Sequence, residues 1–144
     1  MKRLFLTNII SLFAITGVFS APTITYTISF PDPHTHYAEV HMTIEGFKEK
    51  ELKLKMPVWA PGSYLVREFA KNVEDFQVKG ASSFEKTDKN TWNLKSNGQT
   101  IEIDYKVYAN ELSVRTSLVN DQHAYLNGTS VFMYVDGLKD QASK

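Results

Sequence analysis

The chain has 144 residues, and its 16 Lys and Arg balance 16 Asp and Glu, so its formal net charge at pH 7 is zero. This balance gives no indication of nucleic-acid binding. The absence of cysteine excludes disulfide bonds and thiolate metal sites. The length suffices for one small domain, but not for a β-sandwich together with a catalytic domain.

The first twenty residues predict an export signal. Lys2 and Arg3 form a positive start, residues 9–19 are mainly apolar, and small residues follow. Cleavage is expected after Ser20, which leaves a domain of residues 21–144. An uncleaved membrane anchor is the alternative, but the apolar run is short for a span and polar residues interrupt it. We therefore expect an exported protein, periplasmic or extracellular, with no stable membrane span.

Apolar and polar residues alternate with a period of two through much of the remaining chain, which predicts half-buried β-strands. The clearest alternating segments are 23–30, 38–44, 52–56 and 101–107, and the shorter candidates are 76–78, 91–94 and 131–135. Residues typical of turns separate these segments. The fold class predicted from this pattern is all-β, an antiparallel β-sandwich of seven or more strands.

One short helix is predicted at 65–73, where Leu65, Phe69 and Val73 recur every four residues. Two turns is the most that this segment can form. Residues 141–144 are polar, and they predict an unstructured end of the chain.

The segment 56–70 has an unusual composition for a connection between strands. Two prolines fix φ and remove backbone donors, Gly62 allows a positive φ, and Trp59 and Tyr64 provide large apolar faces with polar ends. This composition favours a rigid crossover that closes one end of the sandwich. A loop that faces a ligand is the alternative.

Further motifs follow this segment in a fixed order. It reads P-V-W-A-P-G-S-Y-L-V-R-E-F-A, and it is followed by D-F, Y-K-V-Y-A, L-S-V-R and N-G-T-S-V-F, which begin at Pro57, Asp75, Tyr105, Leu112 and Asn127. The series resembles the amino-terminal domain of the glycyl aminopeptidase family of zinc metallopeptidases, over about residues 24–137. Several ordered motifs in one register are more specific than one short motif.

The resemblance implies a β-domain that precedes and packs on a thermolysin-like catalytic domain, with a PDZ domain also present in full-length members. In that catalytic domain an H-E-x-x-H helix binds zinc and activates water. The four histidines here, His34, His36, His41 and His123, do not have this spacing. We therefore expect no catalytic residue, metal site or cofactor in this chain, and zinc in a catalytic domain outside it. The chain is then a fragment of a longer reading frame or a stand-alone remnant.

The residues expected near a substrate cleft come from the matched motifs: Trp59, Tyr64, Arg67, Arg115, Asn127, Gly128, Thr129 and Ser130. For the two arginines we favour an ion pair with a carboxylate such as Glu68, Asp75 or Glu111 over recognition of a substrate carboxylate. Asn127 and Gly128 predict a turn. The resemblance implies that the hydroxyls after this turn line the edge of a cleft.

Two other groups carry weaker signals. Asp32, His34 and His36 alternate in an extended segment, but a solvated turn is favoured there over metal binding. Ser63 lies in P-G-S-Y without an adjacent histidine, so a nucleophile role is not expected.

Three functions remain open. The first is the non-catalytic amino-terminal domain of an exported zinc aminopeptidase, which docks in cis on the catalytic domain and helps to bound the cleft that receives a peptide substrate. The second is a free-standing secreted module that binds a peptide or protein, which a charged outer surface would favour. The third is a truncated product with a structural role only, for which a large exposed apolar patch would be the signature.

Overall fold

The computed structural model describes residues 21–144. The predicted export signal, residues 1–20, lies outside the described residues. Within residues 21–144 there is no helix that is both long enough and apolar enough to cross a membrane.

Strands dominate the described chain. In order they are β1 Thr23–Ser29, β2 Tyr37–Glu45, β3 Glu51–Lys55, β4 Val73–Lys79, β5 Ala81–Asp88, β6 Thr91–Ser96, β7 Ile101–Tyr108, β8 Leu118–Val119, β9 Ala124–Tyr125 and β10 Tyr134–Val135. The helical turns are a 3-10 helix at Pro33–Thr35, a second at Phe69–Asn72, and α1 at Gly128–Val131.

Two four-stranded antiparallel sheets form the sandwich. One has the strand order β1-β2-β7-β4 and the other β10-β3-β6-β5, while β8 and β9 form a small hairpin. Buried residues from both sheets belong to one apolar core. This confirms the predicted all-β antiparallel sandwich of seven or more strands with at most one short α-helix, although α1 does not lie where a helix was expected.

The period of two in the sequence matches the burial of the central strands. In β2 and β7 the inward residues are almost fully buried: Ala38, Val40, Met42 and Ile44 in one strand, and Ile101, Ile103, Tyr105 and Val107 in the other. In the other sheet, Leu52 and Leu54 of β3 pair with Leu94 and Trp92 of the neighbouring strand β6, and all four are buried. Each fully buried aliphatic side chain stabilises the fold by about 1.5–3 kcal/mol.

The predicted helix at 65–73 is wrong for most of its length. Only Phe69–Asn72 is helical, as a 3-10 turn, and β4 begins at Val73. Leu65 is 64% exposed, whereas Phe69 is buried. The four-residue spacing therefore did not mark one buried helical face.

Strand β5 was not predicted, because it lacks an alternating pattern. Its sequence is polar and nearly every residue is exposed, so the pairing with β6 forms this strand. The predicted strand at 131–135 is shorter than expected, since Val131 ends α1 and only Tyr134–Val135 pairs with β3.

The end of the described chain is not unstructured, contrary to the prediction. The backbone N–H of Tyr26 donates to the carbonyl of Lys144 at 2.8 Å, and the N–H of Lys144 donates to the carbonyl of Ile24 at 3.1 Å. Ser143 forms a parallel bridge with Ile24. Backbone hydrogen bonds order these residues along the edge of β1. The polar side chains of residues 141–144 gave no sign of this pairing.

Gly80 lets the chain cross directly from β4 in one sheet to β5 in the other. Its φ is +76°, and a Cβ at this position would collide with the carbonyl oxygen of Thr100. Gly98 also has a positive φ, +81°, but a Cβ at that position would meet no atom within 4 Å. We expect Gly98→Ala to cost about 1 kcal/mol of unfolding free energy. Gly80→Ala is expected to cost about 1–3 kcal/mol more, because the backbone must move.

Urea denaturation of the two variants measures this difference. Both glycines have a positive φ, so Gly98→Ala controls for backbone strain and the excess isolates the collision. Equal losses for the two variants would contradict the close approach at Thr100.

Candidate functional site

Residues 56–68, here named the crossover loop, are held by their own hydrogen bonds. The N–H of Met56 donates to the carbonyl of Asn90 at 2.9 Å, and the Asn90 side chain donates back to the Met56 carbonyl at 3.1 Å. The N–H of Arg67 donates to the Val58 carbonyl at 2.6 Å, closing the loop. Met56 and Ala60 are buried in the core. The loop is therefore anchored at both ends, as a rigid crossover requires.

Ser63 is the centre of the crossover loop, a role the sequence did not reveal. Its hydroxyl donates to the carbonyl of Leu65 at 3.0 Å and accepts a hydrogen bond from Nε of Arg67 at 3.2 Å. Its carbonyl accepts from the indole N–H of Trp59 at 2.8 Å. Gly62, with a φ of +77°, makes the turn before it. The polar groups of Trp59, Ser63 and Arg67 that form these hydrogen bonds are therefore paired within the loop.

The apolar side chains of the same loop face outward. Tyr64 is fully exposed, Val66 is 77% exposed and Trp59 55%. The loop that follows β7, residues 109–117, here named the Arg115 loop, likewise exposes Leu112 and Val114. Of ten large exposed hydrophobic residues in the described chain, the crossover loop holds five and the Arg115 loop two. Exposed apolar surface is thus concentrated in two connections.

The favoured ion pairs of the two arginines do not form among residues 21–144. Arg67 uses Nε for Ser63, and Arg115 has a buried Nε without a hydrogen-bond partner. Glu68 instead pairs with Lys89 at 2.9 Å, and Lys89 lowers the pKa of that carboxyl. Asp75 pairs with Lys106 at 3.1 Å, which raises the pKa of the lysine. Two of the three expected carboxylates, Glu68 and Asp75, therefore pair with lysines instead of the arginines.

Asn127 begins α1 and ties it to the Arg115 loop. Its Oδ1 accepts from the N–H of Thr129 at 3.1 Å and from the Thr129 hydroxyl at 2.7 Å, which caps the helix. Its Nδ2 donates to the carbonyl of Val114 at 2.9 Å. The hydroxyls of Ser117 and Ser130 lie 2.8 Å apart and are buried. Instead of the predicted turn, Asn127 and Gly128 begin α1 without a positive φ. This helical turn, residues 127–130, is here named the Asn127 turn.

Two tyrosine hydroxyls fix the segment that follows α1. Tyr105 donates to the Val131 carbonyl and accepts from the N–H of Met133, both at 3.1 Å. Tyr26 donates to the Met133 carbonyl at 2.7 Å. Burial raises the pKa of both phenols, that of Tyr26 to about 12. These hydroxyls position the Asn127 turn from the core side. The alternation of apolar and polar residues in the sequence identifies Tyr26 and Tyr105 only as buried apolar residues, without these hydrogen bonds.

The three segments meet at one end of the sandwich. The 3-10 helix Phe69–Asn72, which follows the crossover loop, contacts α1. A cavity of about 180 Å³ is lined by Lys71 and Asn72 on one side and by Glu111, Thr116 and Ser130 of the Arg115 loop and α1 on the other. The predicted cleft residues therefore lie on three neighbouring connections. Trp59, Tyr64 and Arg67 lie on the crossover loop, and the 3-10 helix that follows this loop contacts α1.

A groove lies on the other side of that 3-10 helix. It encloses about 500 Å³ between the crossover loop and the β5–β6 turn, and its lining includes Val58, Val66, Arg67, Lys71 and Lys89. Its walls combine apolar side chains with four cations, Arg67, Lys71, Lys86 and Lys89, and with the carboxylates Glu68 and Asp88. The end of the sandwich therefore offers an irregular surface that is apolar at its rim and carries both signs of charge in its groove.

The histidines take other roles. Nδ1 of His36 lies 2.6 Å from the carbonyl of Val119, and it therefore donates to that oxygen in a loop contact. His41 lies 2.7 Å from Asp104 on the outer face of a sheet. Among residues 21–144 no group of three His, Asp or Glu side chains is placed to hold a metal ion. The described residues therefore do not fit a zinc site.

Comparison with known proteins assigns the family. A family model described as the Peptidase M61 N-terminal domain matches residues 25–144. The chain belongs to this family. A solved structure described as an aminopeptidase N family protein from Idiomarina loihiensis is 31% identical and superposes with a TM-score of 0.78 over 84% of this chain. This M61 domain spans 21% of that solved chain. No curated protein matched.

The resemblance to the amino-terminal domain of glycyl aminopeptidases is thereby confirmed. The motif residues form the crossover loop, the Arg115 loop and the Asn127 turn. Their role at a substrate cleft stays a prediction. Leu112 lies in a matched motif, yet its exposure, like that of Val114, could not be read from the sequence because both residues resemble core residues.

Asn127 gives a test of how α1 and the Arg115 loop are coupled. Asn127→Asp keeps the cap but removes the Nδ2 donor to Val114, so we expect a loss of about 0.5–1.5 kcal/mol in unfolding free energy. Hydrogen exchange in the Arg115 loop is expected to become faster. Asn127→Ala removes the cap as well and is expected to cost about 1 kcal/mol more.

The control is Asn120→Asp, since Asn120 accepts two backbone hydrogen bonds in a separate exposed turn. Asn120→Asp should leave exchange in the Arg115 loop unchanged. If Asn127→Asp also left that exchange unchanged, the Val114 contact would not hold the loop.

Tyr26 predicts a fall in stability at alkaline pH. Its pKa is about 12 in the folded chain against 10 ordinarily, so the stability from the neutral phenol is complete below pH 10 and is lost as the pH rises toward 12. Tyr26→Phe cannot lose this contribution. We therefore expect the stability difference between the native protein and Tyr26→Phe to shrink from pH 9 to pH 11.5 in urea denaturation. A constant difference would contradict the burial of this phenol.

Proposed function

We propose that this chain is the non-catalytic amino-terminal β-domain of an exported zinc aminopeptidase. It packs in cis on the catalytic domain and helps to bound the cleft that receives the amino end of a peptide. The observation that carries the proposal is the concentration of exposed apolar side chains in the crossover loop and the Arg115 loop. Concentrated apolar surface marks an interaction site.

The two loops are suited to docking because they are already ordered. Ser63 fixes the crossover loop, and Asn127 ties the Arg115 loop to α1. A surface that is rigid before binding loses less conformational entropy when it binds. Exposed side chains on such a surface, among them Tyr64, Leu65 and Val114, become buried at little entropic cost.

The family supports a catalytic domain as the partner. This domain corresponds to about a fifth of the solved aminopeptidase N family chain, so most of that relative lies outside the matched region. Zinc in such a catalytic domain would supply the activated water for peptide hydrolysis. Among residues 21–144 no group of three or more His, Asp or Glu side chains is placed to hold a metal ion, and the part proposed for this chain is to bind the catalytic domain and to shape the cleft.

Arg67 and Arg115 support a role at the cleft. Nε of Arg115 is buried and has no hydrogen-bond partner among residues 21–144, which is costly unless an acceptor reaches it in the assembled protein. Arg67 directs only its Nε to Ser63. Each arginine can pair with a carboxylate of the catalytic domain or of the substrate. The Asn127 turn, with Thr129 and Ser130, forms the adjacent edge.

The two other functions receive less support. A charged outer surface would favour a free-standing module, whereas the end of this sandwich is apolar at its rim. Exposed apolar surface is also the signature expected of a truncated product of structural role only, but such a product would not need the loops that expose it to be fixed by hydrogen bonds.

The test is made in the full-length protein. Leu65→Lys combined with Val114→Lys places two charges in the proposed interface, and Phe84→Lys on strand β5 is the matched control, since Phe84 is 47% exposed outside it. The double variant is expected to lose about 1.5–3 kcal/mol of stability for each uncovered side chain. We also expect KM for a short peptide to rise several-fold.

Calorimetry and steady-state kinetics measure these effects. The control should match the native protein in KM, and any stability it loses comes from the ring contact of Phe84 with Phe76 and not from the interface. If the double variant also matched the native protein, the loops would not form the interface, and the proposed docking would be wrong.

A further inference from the structure

The outer edge of β1 has a regular set of backbone groups that point away from the sheet. In a strand the N–H and C=O of one residue point to the same side, and successive residues alternate. The carbonyl of Ile24 and the N–H of Tyr26 point away from β2, because both bond to Lys144. The carbonyl of Tyr26 and both backbone groups of Ile28 therefore point outward too.

These next groups lack partners. Strand β1 is the first strand of its sheet, with β2 on its other side. Among residues 21–144 no hydrogen bond is formed by the outward carbonyl of Tyr26 or by the N–H and C=O of Ile28. The pairing that begins at Lys144 thus stops midway along a strand whose remaining edge is open. An open edge is a template for another extended segment.

The direction of the existing pairing identifies the segment that fits. Ser143 pairs with Ile24 in parallel, so the chain at Lys144 runs in the same direction as β1. In a parallel ladder the bonds repeat every second residue. The second residue after Lys144 would then donate its N–H to the Tyr26 carbonyl and accept from the Ile28 N–H.

We propose that the open edge of β1 at Tyr26–Ile28 binds the segment that directly follows Lys144 in the full-length protein, as an added parallel strand. The proposal rests on the proposed function only in requiring a chain that continues beyond Lys144. Continuity with the Ile24 and Tyr26 contacts favours this occupant over any separate molecule.

The added strand also sets where the next domain enters. The register of Ser29 with Glu39, and of Tyr37 with Tyr108, places the end of β1 at the same end of the sheet as the end of β7, where the Arg115 loop begins, with β2 between the two strands. A segment running parallel to β1 leaves the sandwich at this end. The following domain would therefore be delivered to the exposed apolar loops.

Hydrogen exchange of the Ile28 amide in the full-length protein is the test. We expect it to exchange at least about 100-fold more slowly than a solvated amide, whether or not the loop variants Leu65→Lys and Val114→Lys are present. Lys144→Pro removes the N–H that bonds Ile24, and it should speed exchange at Ile28 at least about tenfold. Ser143→Pro is the control, because the N–H of Ser143 points away from β1.

The outcomes separate this proposal from the proposed function. The proposal would be supported if the Ile28 amide were protected in the native protein, if Lys144→Pro abolished this protection, and if Ser143→Pro retained it. This holds even if the loop variants showed no docking. Free exchange at Ile28 in the native protein would overturn it, as would protection that Lys144→Pro leaves intact or that depends on protein concentration. A reading frame that stops at Lys144 would overturn it as well.

Discussion

The hydroxyl of Tyr105 is the interaction on which the end of this sandwich depends. It lies inside the core and bonds the backbone on both sides of Phe132, through Val131 and Met133. Loss of this hydroxyl would leave a buried donor and a buried acceptor unpaired, each at a cost of about 1–3 kcal/mol. The arrangement fixes the end of α1. Because Asn127 caps α1 and bonds the Arg115 loop, the core tyrosine indirectly holds the outer surface.

The same end collects the features that suit a docking surface. The crossover loop is closed by Ser63, the Arg115 loop is tied by Asn127, and both present apolar side chains to solvent. The register of β1, β2 and β7 brings the open edge of β1 to this end. The exposed apolar side chains, the Arg115 Nε that has no partner among residues 21–144, and the direction of the segment proposed to follow Lys144 thus all indicate the same side of the domain.

Much of the fold could be predicted because burial in a sandwich imposes a period of two. Strands β2 and β7, which lie inside one sheet, show it fully. Strand β5 could not be predicted, since it is an exposed edge strand formed by pairing with β6. The helix expected at 65–73 failed because Leu65 faces solvent while Phe69 enters the core. Spacing alone does not tell which apolar residues are buried.

The candidate site was predictable in its residues but not in its contacts. The motif series identified the crossover loop and the Asn127 turn, since prolines, glycines and asparagine constrain the backbone locally. Arg67 bonds Ser63, four residues before it, and two of the expected carboxylates, Glu68 and Asp75, pair with lysines that are distant in sequence. Ser63 and Tyr105 act through backbone hydrogen bonds, which leave no pattern in the sequence.

The most direct test of the docking surface is how fast a cysteine placed at position 64 is alkylated in the full-length protein. The variants Tyr64→Cys and Phe84→Cys place a thiol at two exposed positions of this domain, and mass spectrometry measures alkylation at each site. The account predicts labelling at position 64 at least about tenfold slower than at position 84, because the catalytic domain covers the crossover loop. Equal rates would contradict it.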